Sequence, residues 1–323
     1  MASFICSLLL LVTLHAQQGV SQDSGGELSH VTGHVLKPGT KAMVPVANTW
    51  VTLHRVGTDR AGPLDSMRTS ATGEYAFTYR RFGAAEAMYF ASSSYGGVAY
   101  ISKPFQSETT SGDDAEIDVF DTTSRVVPMT VRGRHLIISA PIPGGERRVT
   151  EVFDLSNDST VARLASNDTP QGAVWSSLLP TGASHLQVSN GDIPAQAVKF
   201  VNGRAFVYAP FAPGLKQFVY TYTLSQDAFP LSLPAERPTS VFEVLLEEPN
   251  AVVKGVHMRQ EGPVDIEGRH FQRYLAPDVP ASGMMTVSVA KADMPINVWY
   301  VAGLIVVIGG LMTVTLARAV RRR

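Results

Sequence analysis

The chain has 323 residues, 27 Lys+Arg against 28 Asp+Glu, a formal net charge of −1, 45% hydrophobic and 17% charged residues. That length exceeds one ordinary domain. The hydrophobic content excludes a wholly disordered chain, the balanced charge excludes a polybasic nucleic-acid binder, and the gathering of hydrophobicity at the two ends excludes a polytopic transporter.

The first element in chain order is an apolar run of 11 residues, 4–14 (FICSLLLLVTL), followed by the small and polar HAQQGVSQ. This is the h-region and cleavage zone of a secretory signal peptide. Residues 1–21 are predicted to form it, with Ala16 or Ser21 the last residue removed, although Met1-Ala2-Ser3 brings no Lys or Arg. Cys6, the only cysteine, lies inside the run. The exported chain is therefore expected to have no disulfide and no thiolate chemistry, and to be held by core burial.

From 23 to 293 no stretch sustains a helical apolar period. Runs of period two recur instead, broken by Gly, Pro, Asn and Asp. A polar leader (DSGGELS, 23–29) opens the first module, which reads VTGHVLKPG (31–39), PVANTWVTLHRV (45–56) and SATGEYAFTY (70–79). Gly33 permits a close backbone approach, Val51 and Leu53 alternate toward a core, and Thr72-Gly73 turns the chain before Tyr75 and Phe77 re-enter it. These three strands resemble the carboxypeptidase regulatory-like domain, a transthyretin-like (prealbumin-like) β-sandwich, over residues 30–120, within a module expected over 30–122. The resemblance implies a fold and a use as an interaction or spacer domain, and no reaction.

A second β-sandwich module is expected over 124–229. Its best hairpin is 196–209 (QAVKFVNGRAFVYA), where Asn202-Gly203 suits a type I′ turn. In the run KQFVYTYTL, Phe218, Tyr220, Tyr222 and Leu224 share one face. Pro230, Pro234 and Pro238 punctuate the next stretch, so 230–292 is either a smaller β module or a continuation of the second. The expected fold class is all-β: tandem β-sandwich modules, immunoglobulin-like or prealbumin-like, plus one C-terminal transmembrane helix.

That helix is predicted over 296–317. Residues 298–317 (VWYVAGLIVVIGGLMTVTLA) carry no charge over 20 residues, which at about 1.5 Å per residue crosses one hydrocarbon core. Trp299 and Tyr300 open it as an interfacial belt, and Arg318, Arg321, Arg322 and Arg323 close it. The positive-inside rule puts the tail, 318–323, in the cytoplasm. Arginine outnumbers lysine 20 to 7, a GC-rich bacterial usage, so the expected location is the bacterial inner membrane, single-pass, with the bulk of the chain in the periplasm. Ala302, Gly303, Gly309, Gly310 and Thr313 form stripes of small residues that let another helix approach closely in lipid.

The sequence holds no familiar catalytic motif: no Gly-x-Ser-x-Gly elbow, no His-Glu-x-x-His, no P-loop and no dinucleotide fingerprint opening a helix. His30 and His34 share a strand face but lie too far apart for one metal. His257, Glu261, Glu267 and His270 converge only if 252–258 pairs with 269–275. Asp113, Asp114, Glu116, Asp118 and Asp121 read as a strand with one wet face rather than a calcium loop. Tyr89, Tyr95 and Tyr100, with the loop Ser92-Ser93-Ser94-Tyr95-Gly96-Gly97, are candidates for an aromatic contact surface.

The expected function is a non-catalytic, membrane-anchored periplasmic interaction protein. It would serve as an accessory or stabilising subunit of a bacterial membrane complex of respiratory or photosynthetic type. The complex, met through the helix and the β-modules, and the lipid bilayer are its partners. No catalytic residue, metal, cofactor or nucleic acid is expected. The alternative is an envelope carbohydrate- or peptide-binding module; an enzyme built on His257, Glu261 and His270 stands behind both.

Overall fold

The structure, a computed structural model, describes residues 26–289. The signal peptide expected at 1–21, the helix at 296–317 and the tail at 318–323 lie outside the described residues. Among the described residues the fold is all-β, with four single-turn 3-10 segments between strands. No helix there is long and apolar enough to cross a membrane. The described residues divide into two compact units, with the boundary between Asp121 and Thr122.

The smaller unit is built on the strand Leu28–Pro38. It pairs antiparallel with Met43–Pro45 and Glu74–Arg80, and parallel with Thr109–Ser111 and Ile117–Asp118. A second sheet runs in the order Ala61–Arg68, Trp50–Val56, Met88–Tyr95, Val98–Ile101. Alternation decides which residues turn inward: Val51, Leu53, Tyr75 and Phe77 are all buried. Tyr79 of the first sheet stacks on Tyr89 of the second with ring centroids 5.1 Å apart, so the core lies between the two sheets. A Cβ built on Gly33 would stand 2.1 Å from the Ala115 carbonyl oxygen, an approach only glycine allows. Arg55 also points inward and is fully buried. Its guanidinium donates to both Asp59 carboxylate oxygens and to the carbonyls of Arg60 and Phe82, so the burial of its charge is compensated.

The larger unit has an eight-stranded sheet in the order Ser184–Val188, Gly214–Leu224, Arg147–Asn157, Met129–Ile138, Thr239–Leu246, Arg269–Val279, Arg259–Gln260, with Val264–Ile266 also paired to Arg269–Val279. Met129–Ile138 and Thr239–Leu246 run parallel. Both Thr239–Leu246 and Arg269–Val279 are interior strands, so the residues beyond 230 continue the sheet begun before them.

This unit also has a short parallel pair, Thr122–Thr123 with Ala162–Arg163, and two three-stranded sheets: Trp175–Leu178, Arg204–Val207, Val198–Val201, and Leu231–Pro234, Met284–Ser288, Val252–Gly255. Side chains from both three-stranded sheets share one core with the large sheet. Trp175 packs edge-on against Phe153 and Phe218 at 4.8 and 5.7 Å. Phe218, Tyr220, Tyr222 and Leu224 are buried together on one face of their strand. Asn202 and Gly203 take φ of 49° and 69°, the left-handed pair that a type I′ hairpin needs.

Candidate functional site

The three tyrosines singled out in the sequence do not form one exposed surface. Tyr89 and Tyr100 are core residues, 2% and 8% exposed. Each alternates inward on its strand, and their hydroxyls donate to the carbonyls of Phe82 and Phe120. Gly96 and Gly97, both at positive φ, make the tight turn between Met88–Tyr95 and Val98–Ile101. Tyr95 alone of the three presents its ring, and it is engaged. Its hydroxyl donates to Asp121 at 2.8 Å and accepts from Lys37 at 3.0 Å, while Lys37 also pairs with Asp121. Tyr95, and then Lys37, hold the Asp121 carboxyl below its usual range.

The other sequence candidates stay apart. His30 meets Thr78. Strand Val252–Gly255 pairs with Met284–Ser288 rather than with Arg269–Val279, so the histidine and glutamate group does not assemble. His257 contacts the Pro277 carbonyl, and His270 pairs with Asp265 at 2.8 Å near the start of the same strand. Of the acidic stretch, Asp114 is tied to Lys103 at 3.0 Å. Ile117 and Val119 point into the core, leaving Glu116 and Asp118 on the wet side. Burial and then the nearby Asp113 carboxylate push Asp118 up. Among the described residues no group of three or more His, Cys, Asp or Glu is placed to hold a metal. Ala302, Gly303, Gly309, Gly310 and Thr313 lie outside the described residues.

Two polar constellations in the larger unit have no motif in the sequence. On the core side of the sheet, Glu151 is fully buried, diagonal to a buried Arg134 on the paired strand. Arg134 donates to Glu151 at 2.7 Å and to the Pro234 carbonyl at 2.9 Å. The hydroxyls of Tyr220 and Tyr222 donate to the other Glu151 oxygen at 2.9 and 3.1 Å. The guanidinium lies near the rings of Phe153 and Phe242. Burial, followed by the Glu151 charge, drives both tyrosine hydroxyls well above their ordinary range.

On the opposite face of the sheet, His135 places Nδ1 2.7 Å from Glu243 Oε2 and Nε2 3.1 Å from Asp154 Oδ2. Glu243 also accepts from Arg273 at 2.7 Å. The hydrogen bond to Glu243, helped by the one to Asp154, raises His135 above the ordinary imidazole value against the opposing effect of burial. Both constellations join strands far apart in sequence.

The outer face of the four-stranded sheet in the smaller unit sets large apolar side chains among the polar Thr52, His54, Ser66, Arg68 and Ser92. Trp50, Val56, Met88 and Ile101 are 53, 39, 50 and 66% exposed. All lie on the side of the four-stranded sheet away from Val51 and Leu53. Val56 stands opposite Met88, and Thr52 opposite Ser92, which in turn faces Ile101.

No family model matches the chain, and no curated protein matches it. Among solved structures the chain is similar to native yeast LTA4 hydrolase, at 10% identity and a TM-score of 0.31, over 52% of this chain and 30% of that one. The match thus spans less than a third of that chain's length. The structure matched is an enzyme's, so the expectation of a chain without catalysis is withdrawn; at this TM-score the likeness supplies no reaction, substrate or fold in its place.

Proposed function

We propose that the chain is an exported, membrane-anchored interaction protein, an accessory or stabilising subunit of a bacterial membrane complex of respiratory or photosynthetic type. Its β units stand in the periplasm and its single helix, 296–317, sits in the inner membrane with the basic tail in the cytoplasm. The smaller unit acts as a carboxypeptidase regulatory-like sandwich. The motif positions support this: Gly33 at a close approach, Val51 and Leu53 in the core, Thr72-Gly73 before the buried Tyr75 and Phe77.

The observation that carries the reading is the outer face with Trp50, Val56, Met88 and Ile101. An antiparallel sheet face turned only to water is ordinarily polar. Here Trp50 at one end of its strand, Val56 with Met88 at the other, and Ile101 beside Ser92 leave large apolar side chains open on that face, and exposed apolar surface of this kind supports a contact role. Trp50→Ser combined with Ile101→Ser is expected to lower the amount of partner recovered with the tagged chain from native membranes in mild detergent, at unchanged melting temperature. Recovery equal to wild type contradicts the assignment of this face.

The anchor is tested in the same assay. Gly303→Leu with Gly310→Leu is expected to preserve insertion, since Leu is the more apolar residue, and to weaken recovery of the partner by adding bulk where helix backbones would touch. Full recovery would make the helix a tether only.

A second reading, carbohydrate or peptide binding on the envelope, is favoured by one feature of the same face: the half-exposed Trp50 ring, with the Arg68 guanidinium 4.7 Å over it, near the Thr52 and Ser66 hydroxyls, which bond each other at 2.9 Å. Glycan-array binding abolished by Trp50→Ser would select it.

A further inference from the structure

We infer that His135 is a pH-sensitive clamp across the outer face of the eight-stranded sheet, joining Glu243 to Asp154 as an imidazolium and releasing Asp154 when it loses its proton. The number of available donors requires the charged ring. A carboxylate only accepts hydrogen bonds, and a neutral imidazole has one N–H. Both ring nitrogens of His135 lie at hydrogen-bond distance from a carboxylate oxygen, 2.7 Å to Glu243 and 3.1 Å to Asp154. Only the doubly protonated ring satisfies both contacts.

The neighbouring strands bring few other charges to the ring. Arg147–Asn157 brings Asp154, Thr239–Leu246 brings Glu243, and Arg269–Val279 brings Arg273, bonded to Glu243 at 2.7 Å. Gly214–Leu224 brings only the neutral Gln217, bonded to Asp154 at 3.1 Å. Glu151 lies on the other face and is committed to Arg134. Strand Met129–Ile138 itself contributes Gly133, where a Cβ would fall 2.6 Å from both Asp154 Oδ2 and His135 Nε2. The irregularity between Val131 and Gly133 and the missing side chain thus open the space in which the clamp closes.

When the proton leaves, the ring keeps the N–H of its shorter bond, Nδ1–H to Glu243. The Nε2 lone pair then faces the Asp154 carboxylate, and the two repel. Asp154 turns out toward Gln217 and solvent, and the link between Met129–Ile138 and Arg147–Asn157 on this face is reduced to backbone bonds. The sign follows from the raised titration of His135. Its contribution to stability is whole below the unfolded value, about 6.5, and is lost as pH rises through the folded value. The folding equilibrium weakens by about tenfold for each pH unit between the two.

The test is nitrogen-detected NMR of the histidine rings in the full chain across pH, with His135 assigned from His135→Gln. The expected result is a ring that keeps both nitrogens protonated to higher pH than a free imidazole does, and whose neutral form keeps Nδ1–H. Asp154→Asn is expected to retain the fold and flatten the pH dependence of stability, because an amide can donate to the Nε2 lone pair or accept from its N–H. Titration at or below the ordinary value, a neutral form carrying Nε2–H, or an Asp154→Asn variant with undiminished pH dependence would each overturn the clamp.

Discussion

Glu151→Ala is expected to cost about 3–5 kcal/mol of stability in the larger unit, the range for removing one partner of a buried ion pair. Arg134 would stay in the core with its Pro234 carbonyl bond and no counter-charge, and Tyr220 and Tyr222 would lose their common acceptor. Since a whole domain is stable by only about 5–15 kcal/mol, the variant is expected to unfold at much lower urea. The double change Arg134→Met with Glu151→Leu is expected to be less damaging than Glu151→Ala alone, because apolar groups of similar volume leave no charge unpaired. Urea unfolding of the three chains decides it. A single variant within about 1 kcal/mol of wild type would mean that water replaces Glu151 and that the network does not hold the sheet.

Gly33→Ala is expected to destabilise the smaller unit markedly, because Gly33 lies inside the strand Leu28–Pro38, paired on both sides. The backbone there is extended, so the cost is steric rather than conformational. The new Cβ would stand 2.1 Å from the Ala115 oxygen and 2.8 Å from Tyr75 Cζ. The Tyr75 hydroxyl itself donates to that same oxygen, so ring and carbonyl would have to move together. Overpacking of this kind costs about 1–3 kcal/mol, occasionally more, and Gly33→Ala belongs at the upper end. Gly262→Ala is the control, since a methyl group added there would meet nothing within 4 Å. Thermal unfolding should separate the two clearly, and equal melting temperatures would contradict the close approach.

What could be read from the sequence is what local chemistry dictates. Asn202-Gly203 specified its turn because few other pairs accept two left-handed residues in succession. The alternation in Gly214–Leu224 placed four large residues inward because strand side chains alternate with period two. The same rule, applied to Met88–Tyr95, would have put Tyr89 inside with Ala91; the serines around Tyr95 gave that strand the look of an exposed loop, and Ser93 in fact occupies a buried position.

The polar constellations were beyond local reading. Arg134 and Glu151 alternate in phase with Leu136 and Val149, so their inward direction was visible, but the Pro234 carbonyl that completes the site lies 100 residues away from Arg134. His135 likewise meets Asp154 across 19 residues and Glu243 across 108. Such partners are set by sheet order, and sheet order with a parallel central pair cannot be deduced from turn residues alone. The exposed face of the smaller unit was hidden for a different reason: Trp50, Met88 and Ile101 sit on three strands, one to a strand, and no single run of sequence is unusually apolar.

The central proposal is that this chain works in company with other chains in the membrane. The most direct measurement is the mass of the particle that contains it, taken by native mass spectrometry after mild detergent extraction from its own membranes. A mass well above the 34.8 kDa of the single chain, with a second kind of chain present in a fixed whole-number ratio, is the expected result. A particle at or below the single-chain mass, with no other protein in constant proportion, would contradict it.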